Sequence, residues 1–336
     1  MSQEIVQPCW ANAEWLAEVR EWVTEQAAQV NREVIGAITQ PHVRPWSTVM
    51  RVPTDSGILW FKATSPTLPH ESAVTEALSR WAPGRTPHVL SFQPKRNWLL
   101  MADEGVTLRS IYQVEIDHNQ ICKVAEGYAA LQKSLVPRTD AILALGVPDC
   151  RLAILPGQYA ALLDNSYILR VGEEDCLSES ENSRLCDLTP FVETLCSELA
   201  AFGIPETLQH DDLHSNNILV RGDESIVFDW GDFSISHPFY SLVVLLRGAA
   251  RDFDMPEDSP EVARVREAYL AAWDLPLTHI ETDRMCAVSD ALGRISRALT
   301  WQRVLRGMSE PHSSYYVSAP SGWLQEFLEA AQALRQ

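Results

Sequence analysis

Residues 208–220 read LQHDDLHSNNILV, with two histidines, two aspartates and two asparagines packed ahead of an apolar run. Short polar side chains of this kind suit a helix cap or an Asx turn before a hairpin. The spacing carries more than that. His210, Asp212 and Asn217 follow the pattern H-x-D-x-x-x-x-N, and twelve residues after Asn217 a second apolar run, SIVFD (225–229), ends in Asp229. Phosphoryl transfer requires a carboxylate at the acceptor hydroxyl and further oxygen ligands that hold magnesium against the phosphates. Asp212 is the candidate for the first task, and Asn217 and Asp229 for the second. The runs NNILV and SIVFD are expected to form a hairpin that delivers Asp229 to the same metal as Asn217.

Upstream, residues 10–33 have a helical pattern, since Leu16, Val19, Val23, Ala27 and Val30 recur at steps of three and four. Residues 47–63 run from STVMRVPT through DSG to ILWFKA, which predicts a β-hairpin. A helix over ESAVTEALSRWA and two strands, HVLSFQP and NWLLMAD, follow it. After Glu104-Gly105 the chain reads mostly as helices punctuated by Pro137, Pro148, Pro156, Pro190 and Pro205. Two domains are expected: 1–103, a helix with a β-rich lobe, and 104–336, a larger helical lobe. The acidic stretch GEEDCLSESENS (172–183) reads as a surface loop or helix start.

HDDLHSNNIL followed by VFDWGD resembles the aminoglycoside phosphotransferase and choline kinase family, small-molecule relatives of the protein kinases. The family pattern is H-G-D-L-H-x-x-N and then D-W-E; here Asp211 replaces the glycine and Gly231 the acid. The resemblance covers roughly residues 45–250 and implies an α+β, two-lobed protein-kinase-like fold that uses ATP or GTP with Mg. It implies that Lys62, the sole charged residue of ILWFKA, positions the phosphates with a helix glutamate as partner. Glu71 is preferred and Glu76 is the alternative. It further implies that backbone groups at about Met101 to Asp103 meet the adenine edge, and that His210 braces the loop. No G-x-G-x-x-G precedes the hairpin, so Ser47, Thr48 and nearby amides are left to cover the phosphates. Ser241 stands where the family carries an aspartate that ties down the catalytic loop, with Asp232 as the candidate to compensate.

The sequence after Asp229 reaches an apolar helix within about ten residues, with no A-P-E signal, which favours a small-molecule acceptor over a protein. Acids at 173–175, Asp252, Asp254, Asp283 and Asp290, with Trp273 and Trp301, are candidates to line its pocket. The net charge of −18 disfavours nucleic acid and anionic membranes and suits a cationic acceptor such as an amino sugar or quaternary amine. Seven cysteines without a C-x-x-C pair, no signal-like start and no long apolar run point to a cytoplasmic protein with reduced thiols. The rival from another class is a degenerate kinase fold that binds nucleotide or a partner without turnover.

Overall fold

The computed structural model describes residues 10–222, 224–306, 308 and 316–336. Cys9 and the start of the chain lie outside them. The chain divides into two compact units, one of Met1–Val106, Leu219–Gly231 and Arg306–Pro311, the other of Thr107–Ile218, Asp232–Leu305 and His312–Gln336.

The first unit opens with α1 (Ala13–Gln29), whose first turn is closed by Asn12: its side chain accepts the Glu14 and Trp15 amides. Five strands follow the order β1 (Thr39–Val43), β2 (Ser47–Thr54), β3 (Gly57–Thr64), β5 (Trp98–Ala102), β4 (Val89–Gln93), all antiparallel. Helix α2 (Glu71–Trp81) lies between β3 and β4 in the chain. Val19, Val23 and Ala27 of the helical stripe are buried, and Trp15 and Trp22 meet Phe61 and Trp98 edge to face. Alternation along β3 sends Leu59, Phe61 and Ala63 into that core and leaves Lys62 and Thr64 on the opposite face. This is how an apolar strand can carry one buried cation. A second small sheet has the order β6 (Val106–Thr107), β8 (Ile218–Arg221), β9 (Glu224–Val227).

β1 is absent from the sequence expectation, because TQPHV contains a proline and no alternating pattern. It forms as an edge strand, where a proline is tolerated, and its five residues are mostly exposed.

The second unit holds α3 (Leu108–Tyr112), α4 (His118–Leu135), α5 (Thr139–Ala144), α6 (Leu155–Leu163), α7 (Ser166–Leu169), α8 (Glu179–Asp187) and α9 (Thr189–Ala201). These precede β7 (Thr207–His210) and β10 (Phe233–Ser236), which pair antiparallel with Phe233 opposite His210. The chain ends in α10 (Ser241–Phe253), α11 (Pro260–Trp273), α12 (His279–Arg306) and α13 (Ala319–Leu334). The acidic stretch resolves into turns and the start of α8, where Ser178 and Glu181 form a reciprocal capping box. Beneath β7, Gln132 is fully buried. Its amide donates to Leu208 O and Pro238 O, and its oxygen accepts from Tyr269, so every polar atom there has a partner.

Among the described residues no helix is long and apolar enough to cross a membrane. The six described cysteines are free, and burial pushes several of the thiols up, Cys196 to about 12.

Candidate active site

In the first unit Lys62 Nζ donates to Glu71 and, at 2.5 Å, to Asp229 Oδ1. Thr64 Oγ1 donates to the second Glu71 oxygen at 2.6 Å. Period-two geometry places Lys62 and Thr64 on one face of β3, and α2 begins so that its first residue, Glu71, meets both. Glu76 instead pairs with Arg80 one helical turn on, at the surface, so Glu71 is the partner of Lys62. Burial works against the Lys62 cation, yet Asp229 and Glu71 hold its ammonium above the ordinary lysine range. Burial also pushes the Glu71 carboxyl up, against the pull of Lys62.

Asn97 fixes this arrangement, and nothing in the sequence marked it. Its buried side chain accepts the Ser72 amide at 2.9 Å and donates to Leu68 O at 2.7 Å and Thr64 O at 3.4 Å. One residue thereby ties the end of β3 to the first turn of α2. It does so from a left-handed backbone (φ 55°), a conformation asparagine tolerates better than most residues. Asp229 is likewise left-handed (φ 68°), just beyond β9, with the Trp230 indole donating to Val227 O. Strain of this kind persists where the surroundings impose it.

Gly231 has its own reason. A Cβ there would stand 2.9 Å from Glu71 Oε2, and that carboxylate is pinned by Lys62 and Thr64. Gly231→Ala is expected to lose about 1–3 kcal/mol of stability to overpacking, but little in a Glu71→Ala background. Urea denaturation of the double-mutant cycle checks this; additive losses would show that Glu71 is not the obstacle.

The remaining first-unit candidates are placed as follows. Ser47 is buried at the start of β2, and its amide donates to Arg44 O across the β1–β2 turn at 3.3 Å. The Thr48 hydroxyl donates to His42 O and accepts from Gln40. Met101 lies in β5 opposite Trp60 and Val89, and the Asp103 carboxylate accepts the Trp60 indole at 3.3 Å.

In the second unit Asp212 sits just after β7. Its Oδ1 accepts from Arg297 Nη2 at 2.6 Å; its Oδ2 accepts from Asn217 Nδ2 and meets His214 Nε2, both at 3.2 Å. Burial alone would raise this carboxyl, but Arg297, His214 and His210 hold it well below the usual carboxylate range. His210 Nδ1 accepts the Asp212 amide at 3.1 Å and so braces the loop. Asn217 Nδ2 also donates to Asp212 O at 2.9 Å, which presents Oδ1 as the side chain's remaining acceptor. The amide oxygen of Asn217 and the carboxylate of Asp229 are hard oxygen donors, the type that suits magnesium.

Ser241 takes up part of the work expected of an aspartate, since its hydroxyl accepts the His210 amide at 3.0 Å and contacts Tyr128 OH at 2.9 Å. Asp232 contributes through its backbone oxygen, which accepts the Asp211 amide. Asp211 itself is buried and bonded to α12, an anchor that the sequence did not predict.

The acceptor candidates scatter. Asp252 is buried against Arg109, Glu173 pairs with Arg170, and Trp273 packs in the core with Phe239 and Tyr269. Asp283 and Asp290 come together at a cavity of about 340 Å³ walled by α10, α11 and α12.

Residues 81–279, more than half of the chain, match the family model described as the phosphotransferase enzyme family. No curated protein matches the sequence. Among solved structures the chain is similar to a choline kinase from Cryptosporidium parvum Iowa II (12% identity, 89% of this chain and 90% of that one, TM-score 0.62). It is also similar to a macrolide 2′-phosphotransferase type I (14%, 96% and 99%, TM-score 0.56). A third is a spectinomycin phosphotransferase in complex with ADP and spectinomycin (10%, 94% and 98%, TM-score 0.53). At these identities the likeness is one of fold, and the fold is the kinase-like α+β class that the sequence predicted.

Proposed function

The chain belongs to the phosphotransferase enzyme family, and from that premise we propose that it transfers the γ-phosphate of ATP or GTP, with magnesium, to a hydroxyl of a small cationic molecule. One observation carries the reading. Lys62, Glu71 and Asp229 come from a strand, a helix start and a hairpin end far apart in the chain, and they meet in one ion cluster. Such a cluster has little value for stability alone, since a buried ion pair roughly breaks even against apolar packing.

In this reading Lys62 binds the phosphates, kept in place by Glu71 and Thr64. Asn217 and Asp229 would each offer an oxygen to magnesium, which would neutralise charge on the phosphates. Asp212 orients the acceptor hydroxyl. The new bond forms between the hydroxyl oxygen and the γ-phosphorus, the bond from that phosphorus to the nucleoside diphosphate breaks, and the hydroxyl proton passes to Asp212. A loose transition state asks little activation of the nucleophile, so the main task of Asp212 is to orient the hydroxyl. Ser47 and the backbone near Met101 and Asp103 are proposed nucleotide contacts. The ADP bound to the similar spectinomycin enzyme supports a purine nucleotide, and the net charge of −18 supports a cationic acceptor.

The deciding experiment is magnesium-dependent nucleoside diphosphate release with ATP and GTP against aminoglycosides, choline, amino sugars and macrolides, beside Asp212→Ala. Stimulation by one acceptor, lost in the variant, is the expected result. Nucleotide binding with no turnover above the variant across all acceptors would favour the degenerate-kinase rival, and no nucleotide binding would remove the reading altogether.

A further inference from the structure

We propose that Arg297, on α12, is a positioning residue for the reaction: it fixes Asp212 through Oδ1 and so presents Oδ2 to the acceptor hydroxyl. The proposal rests on the phosphotransferase reading for its catalytic consequence, and on geometry within the second unit for the clamp itself. Arg297 is 6% exposed and spans two carboxylates, with Nη2 2.6 Å from Asp212 Oδ1 and Nη1 3.3 Å from Asp232 Oδ2. A guanidinium can bridge two carboxylates in this way because its donors lie in a rigid plane; an ammonium offers one point of charge. The guanidinium carbon lies 5.4 Å from the Trp301 ring centroid, and Trp301 stacks on Tyr316 at 5.0 Å with 17° between planes. The cation is therefore braced by an aromatic pair as well as held by two anions.

The same helix grips the neighbouring loop residue. Asp211 Oδ2 accepts from Thr300 Oγ1 at 2.7 Å, and its Oδ1 accepts from Ser296 Oγ at 3.2 Å and Gln209 Nε2 at 3.1 Å. Arg303 donates to Thr300 Oγ1 at 2.6 Å and stands 3.8 Å from Asp211. Side chains at 296, 297, 300 and 303 thus hold two consecutive aspartates. Asp211 makes an anchor of the loop itself, and Arg297 sets the rotation of the reacting carboxylate. The contacts at Oδ2, both 3.2 Å, are longer than the 2.6 Å bond at Oδ1. The hydroxyl displaces a weaker partner there, while Arg297 stays.

The test uses the full chain, Arg297→Ala and Arg297→Lys, and two readouts. Amide hydrogen exchange across 208–218 reports the clamp without any substrate. Exchange is expected to rise at least about tenfold in Arg297→Ala, with α9 and α13 unchanged, consistent with local rather than global opening. Nucleoside diphosphate release with Mg-ATP reports the consequence. It is expected to fall about 10²-fold, the scale on which small misplacements act, with ADP affinity unchanged, partial activity in Arg297→Lys, and recovery of Arg297→Ala on adding guanidinium ion. Unchanged exchange in 208–218 overturns the clamp, and so does exchange that rises equally throughout the unit. Wild-type turnover in Arg297→Ala, or a loss that guanidinium does not restore, overturns the positioning role. If wild type shows no turnover with any of the acceptors above while exchange in 208–218 of Arg297→Ala still rises, the degenerate-kinase rival replaces the phosphotransferase reading and the clamp stands.

Discussion

Asp212→Asn is expected to lower magnesium-dependent turnover about 10²–10⁴-fold, the range of a positioned proton acceptor, while leaving nucleotide affinity within a factor of a few. The amide can still accept from Arg297 through its oxygen. Its NH₂ then faces Asn217 Nδ2 and His214 Nε2, which both approach Asp212 Oδ2 at 3.2 Å. Two donors are turned on a third, and no atom remains to receive the hydroxyl proton. Because Arg297 holds the Asp212 carboxyl well below its ordinary range, the wild-type group stays ionised at every pH near neutrality. Its depressed value means that its contribution to stability is present above the unfolded carboxylate value, about 3.9, and is lost as pH falls further. Loss of activity between pH 6 and 8 therefore cannot be assigned to its protonation. The measurement is nucleoside diphosphate release for wild type and variant, with ADP titration by calorimetry. Turnover in Asp212→Asn equal to wild type would remove Asp212 from the reaction; loss of ADP binding would mean that the substitution disturbs more than the reacting carboxylate.

The sequence disclosed the parts of this site that are local. Asp212 and Asn217 are five residues apart and are read together because one short loop must hold both. Lys62 stood out as the sole charged residue of ILWFKA, and Glu71 was preferred because the family that the sequence resembles carries its glutamate early in a helix. Asn97, Asp211 and Arg297 were illegible for a different reason. Each acts through contacts made by folding, from Asn97 to Leu68 O at 29 residues' separation to Arg297 on Asp212 at 85. An arginine on a long helix among 27 basic residues carries no local mark. The fold shows the same division. The helical stripe, the 47–63 hairpin and the 71–82 helix follow from periodicity, while β1 follows only from the free edge that β2 offers it. Gly231 joins the two kinds: the sequence showed the family's acid replaced by glycine, and only the position of Glu71 gives a physical reason.

Lys62→Met is expected to cost about 3–5 kcal/mol of stability at neutral pH, the scale for breaking a buried ion pair by removing one partner. Glu71 bears most of the loss. Its side chain is 2% exposed against 45% for Asp229, which can turn to water for solvation. In wild type, Lys62 is raised above its ordinary value, so its contribution is present below about pH 10.4 and fades only at higher pH. In the variant the isolated Glu71 carboxylate relieves its burial by taking a proton. Since its folded value then lies above the unfolded one, the deficit shrinks as pH falls from 8 toward 5. Lys62→Met/Glu71→Gln recovers most of the stability, because a neutral amide still accepts from Thr64 and leaves no buried charge. It is not expected to recover nucleotide binding, which in the proposed reading uses the Lys62 cation. Chemical denaturation between pH 5.5 and 8.5, with Mg-ATP titration of each variant, separates the two roles. A single variant as stable as wild type at pH 8 would show that the ion cluster does not form in the folded protein. Nucleotide affinity regained in the double variant would show that Lys62 only neutralises Glu71 and does not bind the phosphates.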